Sequence, residues 1–450
     1  MVPDRLAGSA FADPDAPFLI DDDRPWSYGE VDDAVAVAAG GLQAERIGPG
    51  NRVAVWGRND VRTCVALLAL ARIGASAVPI NRRLPASTAI EQADAASAVA
   101  WIGEAAPVAT IDPFGHTGSG VAGGERQERE EAMVVFTSGS TGGPKGVRLS
   151  RGALEASAAA SAAHLRHTRA DRWLAVLPIY HVGGVSVLWR SAMVGASVRL
   201  LDGFDEAAVA EAVDDCSVAS LVSPMLRRLL DAGARSGSLR AVLLGGGPIP
   251  SGLVEEAVAA DWPVLPTYGQ TEAGSQIATC DPTEPGKRVA VPLPGMEVRI
   301  ADPDASGVGE IEVRGPALFS GYLGEPDRAP DAWHPTRDLG ALDTMGHLRV
   351  VGRADRVIVT GGENVRAEAV EAALIDAGAS DAVVVGVPDP EWGSVVAAVI
   401  VDHPPGLLAA LRRELPGFAV PKRLVQVVAI PRTPMGKPDL GAVASLVEER

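Results

Sequence analysis

The stretch Val134-Val-Phe-Thr-Ser-Gly-Ser-Thr-Gly-Gly-Pro-Lys-Gly-Val147 decides how this chain is read. Its β-branched and aromatic start has the character of a strand. Thr137, Ser138, Ser140 and Thr141 are then spaced among Gly139, Gly142 and Gly143, and Lys145 follows. Glycines let backbone N–H groups close on an anion, hydroxyls add donors, and the lysine adds a point charge. A surface turn of small residues is the plainer alternative, and so dense a run of donors beside a cation disfavours it. The pattern is not a Walker loop, which needs Gly-Lys-Ser/Thr at the start of a helix. Here Pro144 precedes Lys145 and Gly146 follows it; Val147-Arg-Leu149 reads as a second strand. The loop therefore joins two strands, and a helix begins only after Ser150.

Working outward, strand and helix signals alternate. Ser27-Tyr-Gly-Glu30 has capping-box spacing, so each side chain can satisfy a free N–H of a first helical turn. Arg52 to Trp56, Ala77 to Ile80 and Val99 to Ile102 read as strands; a helix starts at Asp60 and stops at Gly74. The same alternation returns at Ala241–Leu244, the helix after Ser251, and Pro263–Pro266. Such alternation predicts α/β architecture with parallel sheets. Gly103 to Glu131 lacks periodicity and reads as an irregular connection. From Met296 to Val351 short strands are separated by Gly, Asp and Pro, which fits an antiparallel sheet or a small β-barrel. The last hundred residues read as a compact α+β unit. The expected division is a large domain over 1–352 and a smaller, mobile one over 353–450.

Composition bounds the function. Lys and Arg number 40 against 57 Asp and Glu, a net charge of −17. That disfavours nucleic acid, whose phosphates need a basic footprint. Small anionic ligands remain open, because salt screens charges beyond about 8 Å and local cations then dominate. Three distant cysteines, Cys64, Cys216 and Cys280, form no metal or disulfide framework, which fits a reducing cytoplasm. The N-terminus lacks a signal-like apolar stretch. The run from Trp173 to Trp189 is broken by Pro178, His181 and a glycine pair, so no membrane span is expected.

Thr137-Ser-Gly-Ser-Thr-Gly-Gly-Pro-Lys-Gly146 resembles the phosphate-binding signature of the acyl-adenylate-forming enzymes, which include acyl-CoA synthetases, peptide-synthetase adenylation domains and luciferases. Further motifs follow in that family's order. Tyr268-Gly-Gln-Thr-Glu272 resembles its second core motif and Thr336-Arg-Asp-Leu-Gly340 its ribose-binding motif. Gly352-Arg-Ala-Asp355 resembles the inter-domain hinge, and Pro434-Met-Gly-Lys437 the C-terminal catalytic lysine motif. The resemblance spans nearly the whole chain and implies ATP, Mg²⁺ and coenzyme A as reactants or cofactors, with a carboxylic acid as substrate.

Activating a carboxylate builds negative charge at the α-phosphate, which calls for donors, a cation and a metal. Thr271 is a plausible hydroxyl donor there and Glu272 a hard oxygen ligand for Mg²⁺; outside the motif, the pair would read as a helix N-cap. Asp338 has enough acceptor sites for both ribose hydroxyls, although Arg337 stands where the family has glycine. Gly245, Gly246 and Gly247 can admit a flat adenine, with Tyr268 stacking on it. The resemblance implies that Arg353 reaches ribose or phosphate and that Lys437 bridges the carboxylate and α-phosphate. It implies further that Asp355 is the hinge and that Gly361 and Gly362 line the CoA side.

For the acid, Leu177-Pro-Ile-Tyr-His-Val-Gly-Gly184 lacks the Asp that would bind an amino-acid ammonium. His181 is expected at the mouth of the acyl pocket. Arg190 lies in an apolar helix-like stretch and needs an anionic partner: an internal acid, or a second carboxylate on the substrate. The segments Pro178–Arg190, Leu221–Leu230, Leu243–Pro248 and Thr267–Gln276 resemble the branch of the family that ligates an aromatic keto diacid on the route to menaquinone. Ser275 and Gln276 are then candidates to hydrogen-bond that acid. A malonate-type or aryl-acid ligase remains open, as do a stand-alone enzyme loading a carrier protein and a homodimer.

Overall fold

Local signals set the elements that carry the site. Ser27 and Glu30 form both halves of the capping box of helix Tyr28–Ala44. Asp60 caps helix Val61–Ile73 by accepting from the Thr63 N–H at 2.7 Å, and Gly74, with φ of 78°, ends it. The left-handed turn there suits a residue without a Cβ. The structure, a computed structural model, describes residues 4–115, 120–137, 144–250, 252–432 and 438–448.

The chain packs as two units. The first comprises Met1–Gly247, Glu255–Glu297 and Arg314–Trp333. Among its described residues, a six-stranded sheet runs Gly321–Tyr322, Lys145–Ser150, Glu131–Thr137, Ser76–Pro79, Arg52–Val55, Ala100–Ile102. A nine-stranded sheet runs Val291–Pro292, Ser275–Thr279, Val264–Gln270, Ala241–Leu244, Val218–Leu221, Arg172–Ala175, Ser197–Leu200, Pro17–Asp21, Arg24–Ser27. The middle of each sheet is parallel; antiparallel strands close both edges of the nine-stranded sheet and one edge of the six-stranded sheet, whose other edge strand, Ala100–Ile102, is parallel. Strands Ser76–Pro79, Val218–Leu221 and Ala241–Leu244 are buried along their whole length. Both faces are therefore covered, as parallel sheets require.

The second unit comprises Pro248–Val254, Val298–Val313 and His334–Arg450. Strands Glu297–Ala301, Gly309–Arg314, His334–Leu342 and Leu348–Arg353 pair in that order. Among the described residues the outer two do not meet, so the expected barrel-like part is an open antiparallel sheet. The three-stranded sheet of Asp381–Asp389, Gly393–Val401 and Arg423–Val427 follows. Its period-two pattern sends Val384, Val396, Ala398 and Ile400 to helices Ala367–Asp376 and Leu407–Glu414. The opposite set, Val383, Val385, Val395 and Val399, packs with Val443 and Val447 of helix Leu440–Glu448. The strand Arg423–Val427 and that last helix were not read from sequence. No helix among the described residues is long and apolar enough to cross a membrane.

An ion pair is built into the first unit's core. The Arg72 side chain is 1% exposed; it donates to Asp4 at 2.9 Å and pairs with Asp32. It also donates to the carbonyls of Asp32 and Val121. Removing one partner of a buried pair costs about 3–5 kcal/mol. Arg72→Ala is expected to lower the unfolding free energy by about that amount in urea denaturation; a loss under about 1 kcal/mol would mean the pair is solvated.

Candidate active site

In open parallel sheets, ligands bind beyond the carboxyl ends of the strands, and Thr137, the glycine run 245–247, Tyr268 and His181 lie at such ends, whereas Arg190 lies further along helix Val182–Val194. Thr137 ends Glu131–Thr137, and its hydroxyl donates to the Lys145 carbonyl at 3.4 Å. Thr137 and Lys145 are paired across the hairpin. Ser138, Gly139, Ser140 and Thr141, between them, lie outside the described residues. The Lys145 ammonium is 5.1 Å from the ring centre of Tyr322, whose hydroxyl donates to Glu272 Oε1 at 2.9 Å. The Phe319 N–H donates to the Glu272 carbonyl at 2.8 Å. Lys145 and Glu272, from different sheets, thus share one aromatic neighbour.

Thr271 and Glu272 sit in a single 3-10 turn, Thr271–Ala273, after strand Val264–Gln270. That strand runs four residues past its expected end and carries Tyr268, which is half-buried and accepts from the Gln270 amide at 3.3 Å. The strand bends because Gly269 meets Ser275 tightly: a Cβ at Gly269 would lie 1.7 Å from the Ser275 carbonyl oxygen. Ser275 itself has φ of 120°, a conformation L side chains rarely adopt. Gly245 crowds Thr267 in the same way, Gly246 has φ of 78°, and Gly247 faces open space. The run therefore offers bare backbone beside Tyr268.

On the acid side, Asn59 organises the approach. Its buried amide donates to the Ala175 and Leu177 carbonyls and accepts from the Ile179 N–H. This fixes the loop that delivers His181 to the start of helix Val182–Val194, with the imidazole edge-on to Tyr180. Arg190 follows on that helix and is 1% exposed. Its Nε and Nη2 have no hydrogen-bond partner among the described residues. Burial pushes its pKa down to about 9, so it remains a cation at neutral pH. No internal acid among the described residues answers it. Gln276 differs: its amide donates to Thr279 and Thr267 and accepts from Ser161 at 2.6 Å. With both amide hydrogens engaged, Gln276 positions the strand rather than donating to a ligand.

In the second unit, Asp338 lies opposite Arg353 in antiparallel register and is buried. Arg353 donates to Asp338 at 3.2 Å and to both oxygens of Asp355, at 3.0 and 2.8 Å. The Asp355 hydrogen bonds raise the Arg353 pKa, against partial burial. Arg337 takes φ of 61°, the left-handed turn that glycine would adopt without strain, and its N–H is held by Glu310 at 2.9 Å. Gly361 and Gly362, with φ of 58° and 85°, form the two-residue turn between strands Val357–Thr360 and Glu363–Arg366. A Cβ on Gly361 would meet the Trp392 ring at 2.4 Å, and the Lys422 ammonium sits 3.8 Å over that ring. Lys437 lies outside the described residues.

Sequence reasoning passed over Asn59, Tyr322 and Trp392. Tyr322 had one signal: the chain holds four tyrosines, and this one stands beside Gly321 in an otherwise apolar stretch. Asn59 had none, because its partners are more than a hundred residues away.

Two family models match, AMP-binding enzyme over residues 6–323 and AMP-binding enzyme C-terminal domain over 369–437. The chain is 33% identical to a 2-succinylbenzoate–CoA ligase of Bacillus cereus (strain Q1), covering 100% of this chain and 99% of that relative. It resembles the o-succinylbenzoate CoA synthetase of Bacillus subtilis in complex with the acyl-adenylate intermediate OSB-AMP: TM-score 0.88, 30% identity, 97% and 96% of the two chains. The same Bacillus subtilis protein in complex with ATP and magnesium ion matches at TM-score 0.88 and 29% identity, over 99% of each chain.

The Gly269–Ser275 contact makes a direct prediction. Gly269→Ala forces the hairpin apart and is expected to lower stability by about 1–3 kcal/mol or more, as overpacking does. Denaturant unfolding checks it; a variant as stable as the parent would show that the hairpin relaxes freely.

Proposed function

The chain belongs to the AMP-binding enzyme family, and from that premise we propose that it ligates 2-succinylbenzoate to coenzyme A through an acyl-adenylate, in menaquinone biosynthesis. A carboxylate oxygen of the acid attacks the α-phosphorus of ATP and pyrophosphate leaves. The thiol sulfur of coenzyme A then attacks the acyl carbon, AMP leaves with the oxygen, and the thiol proton goes to solvent. The reading places the enzyme in the cytoplasm.

The observation that carries the substrate is Arg190. A buried guanidinium in an apolar helix, with two nitrogens unpartnered among the described residues, is costly alone and is satisfied by a carboxylate that brings two oxygens. A diacid supplies that group while leaving its other carboxylate to react. A monoacid would leave the cation buried and unpaired.

The remaining roles follow from chemistry and position. Lys145 and the hydroxyl-rich loop hold the β- and γ-phosphates, and Thr271 donates to the α-phosphate. Gly245, Gly246 and Gly247 seat adenine against Tyr268, and Asp338 accepts from the ribose with Arg353 beside it. His181 stands at the mouth of the acyl pocket, and Ser275 hydrogen-bonds the acid. Glu272 fits Mg²⁺: its Oε1 accepts from Tyr322 at 2.9 Å, and a carboxylate keeps further acceptor sites for an ion. A single carboxylate suits an ion bound mainly through phosphates and waters. When bound, Mg²⁺ neutralises charge on the transferring phosphate. Lys437 bridges carboxylate and α-phosphate in the first step. Asp355 is the pivot about which the C-terminal part rotates for the second, presenting Gly361 and Gly362, backed by Trp392, to the thiol.

Acid-dependent pyrophosphate release, followed by thioester formation with coenzyme A, tests the whole reading. 2-Succinylbenzoate should turn over with a far lower KM than 4-oxo-4-phenylbutanoate, which lacks the second carboxylate; the reverse order sinks the substrate. Arg190→Ala is expected to raise KM for the diacid at least thirtyfold, from the roughly 2–5 kcal/mol of a broken buried charge pair; an unchanged KM would mark Arg190 as structural. Lys437→Ala should abolish pyrophosphate release yet keep thioester formation from supplied acyl-adenylate, and equal loss of both would refute the division of roles.

A further inference from the structure

Arg190 is not alone in lacking an acceptor. His167 is 6% exposed, and neither ring nitrogen has a partner among the described residues. Trp173 is fully buried, and its indole N–H is likewise unpartnered. The three side chains meet at the indole. The His167 ring stands edge-on to it at 5.3 Å, and the Arg190 guanidinium carbon is 5.4 Å from its centre. Buried donors are normally paired. Here the guanidinium, the indole and the imidazole gather with a single imidazole nitrogen as the only acceptor among them.

The backbone makes His167 more telling. Helix Arg151–Leu165 ends at Arg166, with φ of 50°, and the His167 N–H returns to the Ala162 carbonyl at 2.8 Å. In this C-terminal motif the His167 position usually carries an apolar side chain packed on the last turn. An imidazole there gains nothing as a cap. Burial also pushes the His167 pKa down to about 4, with Arg240 and Arg190 opposing its charge and Asp171 favouring it. The ring is therefore neutral at pH 7, a donor through one nitrogen, and of the three side chains only Arg190 is charged; Arg240 nearby is paired with Asp171. One charge and several donors match one carboxylate, which offers about four acceptor sites.

We propose that His167 and the Trp173 indole N–H complete, with Arg190, the seat of the diacid's non-reacting carboxylate, so that His167 helps determine specificity. This rests on the diacid reading above. The test compares His167→Leu, which keeps the bulk and removes the donor, with His167→Asn, which keeps a donor. KM is measured by pyrophosphate release for 2-succinylbenzoate and for 4-oxo-4-phenylbutanoate, with KM for ATP as the control for folding. His167→Leu should raise KM for the diacid at least tenfold more than for the monoacid, with ATP little affected, and His167→Asn should recover part of the loss. Equal effects on both acids, or none, overturn the proposal. If Arg190→Ala removes diacid preference while His167→Leu does not, the diacid reading stands and this seat falls; if neither does, both fall. Should His167→Leu fail to fold, ¹⁵N resonances of His167 in the parent protein decide. They should shift on adding 2-succinylbenzoate and not on adding the monoacid, and no shift overturns the assignment.

Discussion

A hydrogen bond from Tyr322 to Glu272 ties the six-stranded sheet to the turn that follows a strand of the nine-stranded one, and the chemistry proposed for the first unit rests on that tie. The hairpin proposed to bind phosphate belongs to the six-stranded sheet, and the Thr271–Glu272 turn follows a strand of the nine-stranded one. Neither sheet alone brings Lys145 and Glu272 together. The short strand Gly321–Tyr322 does so: its backbone pairs with Lys145–Ser150, while its side chain reaches Glu272. The ring also lies beside the Lys145 ammonium, so one aromatic spaces both charges. Asn59 makes a second tie from the other side, holding the His181 loop by three hydrogen bonds. Preorganisation of this kind is what lets donors act on developing charge without reorganising during reaction.

The parts of this arrangement visible in the sequence are those whose cause is local. The capping box at Ser27, the Asp60 cap and the Gly74 stop lie within a few residues of what they control, and each element formed there. The pairing of Glu131–Thr137 with Lys145–Ser150 was legible for the same reason: β-branched runs flank a glycine-rich stretch. What escaped depends on distant pairing. Gly321–Tyr322 is too short to register as a strand, and it exists because it adds to an edge about 170 residues earlier in the chain. Gln276 looked like a ligand because it follows Ser275 in the motif, but Ser161, Thr267 and Thr279 take up its amide. The strand Arg423–Val427 pairs in parallel with Gly393–Val401, a register no local pattern announces. The small-barrel alternative failed similarly, since period and turn residues do not say whether outer strands meet.

Net charge illustrates the gap between composition and site. A total of −17 opposes anionic substrates at long range. Most arginines are neutralised in place: Arg52 by Glu131, Arg240 by Asp171, Arg356 by Glu371. The buried exception among the residues considered for the site is Arg190, which no acid approaches among the described residues. Composition counts all arginines alike, whereas desolvation makes this one unlike the rest. Its charge is unscreened by solvent, so a partner arriving from outside gains more there than at any paired surface arginine.

Backbone strain follows the same logic. Ser275 at φ of 120° and Arg337 at φ of 61° are non-glycine residues in conformations that cost of order 1–3 kcal/mol each. Each sits beside a candidate ligand residue, Ser275 next to the Thr271–Glu272 turn and Arg337 next to Asp338. Each is also held by a specific contact, Ser275 by its close packing on Gly269 and Arg337 by the Glu310 carboxylate. A chain selected for stability alone would place glycine at both. The strained turn at Arg337 aims the following residue, Asp338, inward, where Thr336 accepts its N–H and Arg353 meets its carboxylate. Because Arg353 also grips Asp355 through both oxygens, the proposed ribose acid, Asp338, and the proposed pivot share one guanidinium. The orientation of the first therefore cannot change without disturbing the second.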